Sequence, residues 1–354
     1  MTGAQAPLAR LVAGPTASAS TTPGLAVPDA PDSAVPDAPD SAVFEASDPA
    51  LPDASVAVPD ASEAAVSEVA ARRAGAARRA VTARRAAGWV RGNLGLVVAG
   101  LIVVLVLGWA AVPSLVASGD PLTGVPAQKF QGPSTEHWFG TDRLGRDLYT
   151  RVVHAAGLSL SATVFAVLLG LVVGALIGLV AGTAGGVVDT VLSRVVDVLL
   201  SIPELLVSLA LVTVLGVGTR NVAIAVGVAL IARFARVMRA EVLRVRNAPY
   251  VEAAFASGVR WHTVLFRHVL RNAYGPVAAL AAIEFGVAVL AVAALSFLGY
   301  GAVPPTPEWG SLIAEGRNYL ATAWWLTTLP GLVIIALVLA TQRIARAIHK
   351  DNAR

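Results

Sequence analysis

The sequence predicts an all-α protein that crosses a membrane with six transmembrane helices. Hydrophobic residues make up 56% of the 354 residues and charged residues only 14%, whereas a soluble domain is about 25% charged. The apolar residues lie in runs of roughly 20, which is the length that a helix needs to cross about 30 Å of hydrocarbon. The six predicted spans are at about 94–113, 156–181, 195–217, 221–239, 275–300 and 324–345.

The first 70 residues differ in composition from the rest of the chain. They are rich in Pro, Ala, Asp and Ser, and they repeat A-V-P-D-A-P-D-S at 26–33 and 34–41. Such a segment buries too little apolar surface to offset the entropy lost on ordering, so we predict that residues 1–70 are disordered. Two interpretations of this segment stay open, an acidic docking tail and a species-specific extension.

The positions of the arginines predict the topology. Residues 71–93 contain three Arg-Arg pairs, and a basic segment next to a span stays cytoplasmic. The loop at 233–271 carries eight arginines against Glu241 and Glu252, so it is placed on the same side. Six spans then leave both termini in the cytoplasm. Three arginines at the end of the fourth span are expected to snorkel to the cytoplasmic face: Arg233, Arg236 and Arg239.

Glycines recur at every fourth position through the second span and beyond it. Residues four apart share one face of a helix, so this face exposes backbone to a close neighbouring helix. The pattern is consistent with a sliding or gating surface and equally with tight static packing. The five glycines are Gly170, Gly174, Gly178, Gly182 and Gly186.

A short helix is predicted within the basic loop. Pro249 suits the first helical position, Tyr250 to Ser257 can form two turns, and Gly258 suits a left-handed stop. A second helix is expected to run on to Asn272 and to lie in the cytoplasmic interface, with its apolar side toward the lipid. The short helix either enters a groove on a partner or belongs to a merely interfacial basic loop.

Charged side chains inside spans and between them form a second group of candidates. Glu284 and Glu204 fall in or near predicted spans, where an ionisable residue is a functional hypothesis by default. They face a translocation path, pair with a partner chain, or are structural acids near the membrane edge. The outer segments form local ion pairs or dock a partner, with Trp309 as an interfacial anchor. Their candidate residues are Asp142, Arg143, Arg146, Asp147 and Trp309.

Several kinds of chemistry have no sequence signal in this chain. No G-x-x-x-x-G-K-[ST] occurs, so no nucleotide site of the P-loop type is expected. The chain has no cysteine and its five histidines are scattered, so we expect no metal site. No nucleophile–base set is visible. We therefore predict that the chain is not an enzyme, holds no cofactor and binds no nucleic acid.

Four motifs in order resemble one family of transport proteins. They are F-G-T-D-R-L-G-R-D at 139–147, E-A-A at 252–254 with Gly258, L-S-F-L-G at 295–299 and P-P-T-P-E-W-G at 304–310. The sequence from about 89 to 354 resembles the C-type permease of oligopeptide and dipeptide importers of the ATP-binding-cassette (ABC) class, and the related nickel permeases. It departs from the family where Arg271 follows Leu270 in place of proline, and where Val292 replaces a frequent glutamate.

The resemblance implies a type I ABC importer permease in the bacterial inner membrane, with residues 94–354 as the permease domain. The loop at 240–274 would hold the coupling helix, which sits in a cleft of a cytoplasmic ATPase subunit. The implied coupling residues are Tyr250, Glu252, Ala253, Ala254, Gly258 and Trp261. The implied partners are a second, B-type permease, two ATPase subunits that bind ATP and Mg²⁺, and an extracytoplasmic substrate-binding protein.

Two alternatives remain open from the sequence. A permease for nickel or another small solute would carry the same motifs. An ion-coupled secondary transporter would act without ATPase subunits, but it predicts inverted repeats with broken helices at the midplane. No clear internal repeat is visible in the spans.

Overall fold

The computed structural model describes residues 93–352, except for the side chains of Phe255 and of residues 348–352. The predictions for residues 1–70, and for the basic segment up to residue 92, lie outside the described residues. Within the described part the chain folds into α-helices joined by irregular segments, the longest of which covers residues 117–147. They are α1 (Leu94–Ala111), α2 (Pro113–Val116), α3 (Leu148–Ala184), α4 (Gly186–Ser201), α5 (Glu204–Leu215), α6 (Thr219–Arg246), α7 (Pro249–Ala256), α8 (Trp261–Val264), α9 (Arg271–Leu295), α10 (Trp309–Gly316) and α11 (Trp325–Asn352).

Helices long and apolar enough to cross a membrane agree with the predicted number of spans. Within the described residues five qualify, namely α1, α3, α6, the segment Trp261–Tyr300 and α11. The bent pair α4 and α5 makes a sixth if it is counted as one span. The helical fold with up to six spans is therefore confirmed.

The third span is not the continuous helix predicted at 195–217. It breaks after Ser201, and α4 and α5 meet at 93°. Ile202 is extended because the ring of Pro203 disfavours a helical conformation at the preceding residue. Pro203 therefore turns the predicted span into an elbow. We call this junction the α4–α5 elbow.

The second span is longer than predicted at both ends. Helix α3 has 37 residues and begins at Leu148, where the Asp147 side chain accepts a hydrogen bond from the Thr150 amide at 2.7 Å. A side-chain oxygen at this position satisfies one of the free amides of the first turn. The helix ends at Gly185, whose φ of +64° suits a glycine. Helix α3 therefore extends well beyond the predicted limits of 156–181.

The segment after Gly258 is not a separate interfacial helix. Helix α8 continues through a π-helical turn at Leu265–Leu270 directly into α9. Its apolar side is also divided, because Val264 and Val269 are buried whereas Trp261 and Phe266 are exposed. No proline interrupts this segment, so its backbone joins the fifth span.

The glycine face of α3 packs closely on α6. A methyl group added to Gly174 would lie 2.5 Å from the carbonyl oxygen of Ile231, and one added to Gly170 would lie 2.6 Å from the Leu230 Cβ. Gly178 and Gly182 meet α6 in the same way. Gly186 does not belong to this face, because it lies in α4 with open space around its Cα.

The helices are arranged so that the chain has two functionally distinct ends. At one end, the Trp309 indole of α10 donates to the Val152 carbonyl of α3, and the Trp325 indole of α11 donates to the Thr141 carbonyl in the segment before α3. We call this the motif end. At the other end α7 follows α6, and Arg343 of α11 lies against Gly95 of α1. We call this the coupling end.

Candidate coupling helix and intramembrane charges

The short helix predicted in the basic loop is present as α7. It begins at Pro249, and Gly258 follows it with a φ of +78°, as the sequence predicted. The Val259 amide donates to the Ala254 carbonyl at 3.2 Å, which is the 6→1 hydrogen bond of a Schellman motif. Pro249 and Gly258 therefore fix both limits of this two-turn helix.

One side of α7 is anchored and the other is free. Val251 is fully buried in the main hydrophobic cluster, and the half-buried Ala254 packs against the same cluster. Glu252 and Ala253 are exposed on the opposite side. The predicted coupling residues are therefore divided, with Ala254 on the inner face and the others outside. We call the exposed set the coupling surface: Tyr250, Glu252, Ala253, Gly258 and Trp261.

Large aromatic side chains flank the coupling surface. Tyr250 is 48% exposed and Trp261 is 65% exposed. An apolar side chain that remains this exposed beside a small-residue helix is typical of a surface that a partner covers. Next to Trp261, a cavity of about 300 Å³ extends between Val251 and Arg246.

Arg246 joins the base of the coupling surface to α3. Its guanidinium donates to the carbonyl of Gly182 at 3.3 Å and to that of Thr183 at 3.1 Å. These carbonyls belong to the last turn of α3, where the helix itself provides no donor. The end of α6 that leads into α7 is therefore tied to the end of α3.

An ion triad lies where three helices meet in the interior. The Arg233 guanidinium on α6 donates to both carboxylate oxygens of Glu284 on α9, at 2.8 and 2.7 Å. It also forms an ion pair with Glu204 on α5 at 2.9 Å. The two acids singled out from the sequence are thus brought together, and their shared partner is on the same chain. Arg233 turns inward to them, so the prediction that it snorkels to the membrane surface is wrong.

The other two arginines of α6 pair with α4. Arg236 binds Asp197, and Arg239 binds Asp189 through a nitrogen–oxygen contact of 2.8 Å. Each of these two arginines thus has a partner acid on α4, and for them the snorkelling expectation stays a prediction. The three arginines lie three residues apart on α6. Arg233 binds acids on α5 and α9, and Arg236 and Arg239 bind acids on α4.

At the motif end the predicted outer residues form a buried network. Asp142 accepts from Arg146 at 2.6 Å and from Arg151 at 2.9 Å. Both arginines also reach Glu315 on α10, at 3.2 Å from Arg146 and 2.9 Å from Arg151. Asp142 and Arg146 are almost completely buried. Asp142 and Arg146 thus form a local ion pair of the kind expected in this segment, and the Arg146 contact to Glu315 anchors the segment before α3 to α10.

The remaining outer residues differ in how accessible they are. Asp147 caps α3 and binds the imidazole of His137 at 2.9 Å. Arg143 is exposed. Trp309 is only 1% exposed, so it is a core residue and the expectation of an interfacial anchor is wrong. Arg143 and part of Asp147 are the predicted outer residues that a partner could still reach.

Comparison with known proteins decides the family. The sequence model of the family described as "Binding-protein-dependent transport system inner membrane component" matches residues 174–354. The chain belongs to this family. As a permease of this family it is an inner-membrane, multi-pass protein. The resemblance inferred from the four sequence motifs is thereby confirmed.

Named relatives lie in the peptide branch of these permeases. The dipeptide transport system permease protein DppC of Alkalihalophilus pseudofirmus is 38% identical over 251 residues, or 70% of this chain and 82% of that protein. The glutathione transport system permease protein GsiD of Escherichia coli is 41% identical over 59% of this chain and 69% of that protein. GsiD of Pectobacterium atrosepticum is 36% identical over 59% and 70%.

Four charged residues of the permease site were not singled out from the sequence. Asp189 and Asp197 lie eight residues apart on α4, and that spacing puts two acids on one helix face opposite basic α6. The ion pairs of α4 with α6 could therefore have been predicted from the spacing of these two acids. Arg151 and Glu315 carried no comparable signal, because 164 residues separate them and only the packing of α10 on α3 joins them.

Glu308 is a further buried acid of the permease, in the motif P-P-T-P-E-W-G. Its carboxylate accepts a hydrogen bond from the Ala302 amide at 3.1 Å. Burial raises the pKa of Glu308 above its usual range, because removing water disfavours the charged form more than the Ser296 hydroxyl and the Ala302 amide stabilise it. Within the described residues no cluster of three His, Asp or Glu side chains could hold a metal ion.

Proposed function

We propose that this chain is the permease subunit of an ATP-driven ABC importer for peptides. The observation that carries the proposal is α7, a two-turn helix anchored by Val251 that presents Glu252 and Ala253 to the exterior. Short helices with small side chains can enter a groove on another protein. Relatives named as dipeptide and glutathione permeases support peptides as the solute.

The contacts of α6 suggest how the coupling surface acts on the spans. Helix α6 leads from the coupling end to the ion triad, and its arginines hold α4, α5 and α9 along the way. ATP-dependent closure of the ATPase subunits would pull α7 and shift α6. Because these ion pairs are short and directional, α4 and α5 would move with α6. The permease would then open to one side at a time, in the population favoured by each nucleotide state.

The proposed assembly places each partner at one end of the chain. Two ATPase subunits, which bind ATP and Mg²⁺, would meet the coupling end in the cytoplasm. The substrate-binding protein would meet the motif end outside, near the exposed Arg143. A second, B-type permease would complete the path across the membrane. Both termini of this chain would be cytoplasmic, since Arg343 near the end of α11 and Gly95 at the start of α1 share the coupling end.

A charge reversal on the coupling surface tests the proposal. We expect Glu252→Arg to reduce co-purification of the ATPase subunits and ATP-dependent peptide uptake at least tenfold. A second variant, Gly258→Trp, places a bulky side chain beside the same surface and also strains the end of α7, where φ is +78°, so it should act in the same direction. The matched control is Glu136→Arg, an equally exposed glutamate at the motif end, which should leave co-purification unchanged.

Two results would count against the proposed function. Retained co-purification in both coupling variants would show that the ATPases bind elsewhere. Uptake that persists without any ATPase subunit would instead favour an ion-coupled secondary transporter. Membrane insertion of every variant is checked by fractionation, so that a folding failure is not mistaken for a loss of coupling.

A further inference from the structure

A cavity of about 310 Å³ lies between the α4–α5 elbow and α6. Its volume is at the lower end of the range of about 300–1,000 Å³ for small-molecule sites. The elbow contributes Ser201, Pro203 and Glu204 to the wall, and α6 contributes Val228 and Arg233. Most of the wall is apolar, and the charged groups come from the ion triad. The cavity therefore has the composition of a site that holds a small solute by a few polar contacts.

The depth of the charged groups in this cavity argues against lipid as its contents. Arg233 lies 14 residues after Thr219 and 13 before Arg246, so it sits about 20 Å from either end of α6. Glu284 is likewise near the middle of α9. The Arg233 side chain is nevertheless 39% exposed. A charged group at this depth faces water or protein, because facing hydrocarbon costs several kcal/mol.

The charges of the triad do not balance. Two carboxylates meet one guanidinium, which leaves a surplus of one negative charge when all three are ionised. Glu204 is the less neutralised acid, because Arg233 makes two bonds to Glu284, at 2.8 and 2.7 Å, and one contact to Glu204, at 2.9 Å. One carboxylate oxygen of Glu204, Oε1, also has no hydrogen-bond partner in the described part of the chain. A buried acceptor without a donor is destabilising by about 1–3 kcal/mol, so the chain itself leaves the Glu204 carboxylate incompletely satisfied.

We infer that the cavity between the α4–α5 elbow and α6 is a solute-contacting site of the translocation path, and that Glu204 makes it take solutes with a free amino group. The inference rests on the proposed function as an importer permease and names the part of a peptide that the site contacts. An ammonium group supplies both the positive charge and the hydrogen-bond donors that Glu204 lacks. Arg233 contacts the Glu204 carboxylate at 2.9 Å and is itself bound by Glu284, so Arg233 is a positioning residue.

The absence of cysteine from the sequence allows a direct labelling test. A single thiol is introduced by Ser201→Cys in the cavity wall, in the assembled importer in membranes. It is treated with a trimethylammonium-ethyl or a sulfonatoethyl methanethiosulfonate, and each rate is divided by the rate for a free thiol. We expect about a tenfold preference for the cationic reagent, because a charged cleft concentrates counter-ions. Adding Glu204→Gln should bring the ratio close to 1.

Two controls define the contrast. The variant Ser161→Cys places a thiol on the exposed face of α3 beside Val164 and Phe165, where we expect lipid, so neither charged reagent should react quickly. Asp189→Asn in the Ser201→Cys chain removes an acid of α4 that does not line the cavity, and the charge preference should remain. A dipeptide with a free amino terminus should slow labelling at Ser201→Cys more than its N-acetyl form does.

The outcomes separate this inference from the proposed function. If the Ser201→Cys thiol is as unreactive as the Ser161→Cys thiol, lipid or the second permease fills the cavity and the inference is overturned. Equal normalised rates for the two reagents, or protection by the N-acetyl dipeptide alone, would also overturn it. Labelling requires no ATP. If the labelling results contradict the inference while ATP-dependent uptake is intact, the inference is wrong and the proposed function is unaffected. Loss of ATPase binding to the coupling surface would instead remove the proposed function.

Discussion

The two ends of this permease each carry a sequence motif with charged side chains, but those side chains are buried at one end and exposed at the other. At the motif end, Asp142 and Arg146 are buried in a network that also holds Arg151 and Glu315. At the coupling end, Glu252 and Gly258 are exposed. Both motifs stand out equally in the sequence. Burial separates them, because a charge enclosed by partners on its own chain has no capacity left for a partner outside.

The comparison shows what each motif stabilises. The network at the motif end joins the segment before α3 to α10, so its ion pairs stabilise the fold of the chain itself. The coupling surface adds little to the fold apart from the anchor Val251. Substitutions at the motif end should therefore change stability, whereas those on the coupling surface should change association with a partner.

The largest effect is expected from Arg151→Ala. This substitution removes the guanidinium that bonds Asp142 and Glu315 and leaves buried carboxylates short of a partner. Breaking a buried ion pair in this way costs about 3–5 kcal/mol. The free energy of unfolding of the purified protein in detergent should fall by that amount. Arg143→Ala is the matched control, and a comparable loss there would show that burial does not distinguish the two arginines.

A smaller effect is expected along α3, which joins the two ends. Gly174→Ala puts a methyl group 2.5 Å from the Ile231 carbonyl oxygen, and backbone on both sides leaves it no room. Overpacking of this kind costs about 1–3 kcal/mol. Gly331→Ala in α11 meets no atom within 4 Å and serves as the control. Thermal unfolding checks both variants, and an unchanged midpoint for Gly174→Ala would indicate that the α3–α6 contact is loose enough to slide.

Glu308 makes a pH-dependent contribution at the motif end. Its folded-state pKa is raised from about 4.5, so the fold favours the protonated form and loses this contribution as pH rises through the raised pKa. Glu308→Gln keeps an uncharged acceptor for the Ala302 amide. We expect the wild type to lose stability relative to Glu308→Gln as the pH increases above about 4.5. Parallel stability curves for the two proteins from pH 4 to pH 8 would contradict the assignment.

The smallest effect on stability is expected on the coupling surface. Glu252→Ala and Tyr250→Ala change exposed side chains, and such changes are usually within about 0.5 kcal/mol of neutral. Co-purification of the ATPase subunits should nevertheless weaken severalfold. The comparison between the ends would fail if either variant unfolded the permease or left ATPase association intact.

Much of this fold could be predicted from local sequence signals. Apolar runs gave the spans, and the Pro249 and Gly258 positions gave α7, because these features depend on neighbouring residues. The bend at Pro203 was underestimated, since a proline can kink a helix or end it, and packing decides between the two.

The charges were harder to predict because their partners are distant in the sequence. Arg233 was expected at the membrane surface, yet Glu284 lies 51 residues away and draws it inward. Trp309 belongs to a sequence motif and still lies in the core, where its indole N–H donates to the Val152 carbonyl. Motif membership alone does not indicate whether a side chain is buried.

The most direct test of the account is a crosslink from the coupling surface in this cysteine-free chain. The account predicts that Ala253→Cys crosslinks to an ATPase subunit and reacts with a membrane-impermeant thiol reagent only after the cells are opened. Ser118→Cys, exposed at the motif end, should react in intact cells and give no such crosslink. Reaction of Ala253→Cys in intact cells, or no crosslink from it to any ATPase subunit, would contradict the central claim.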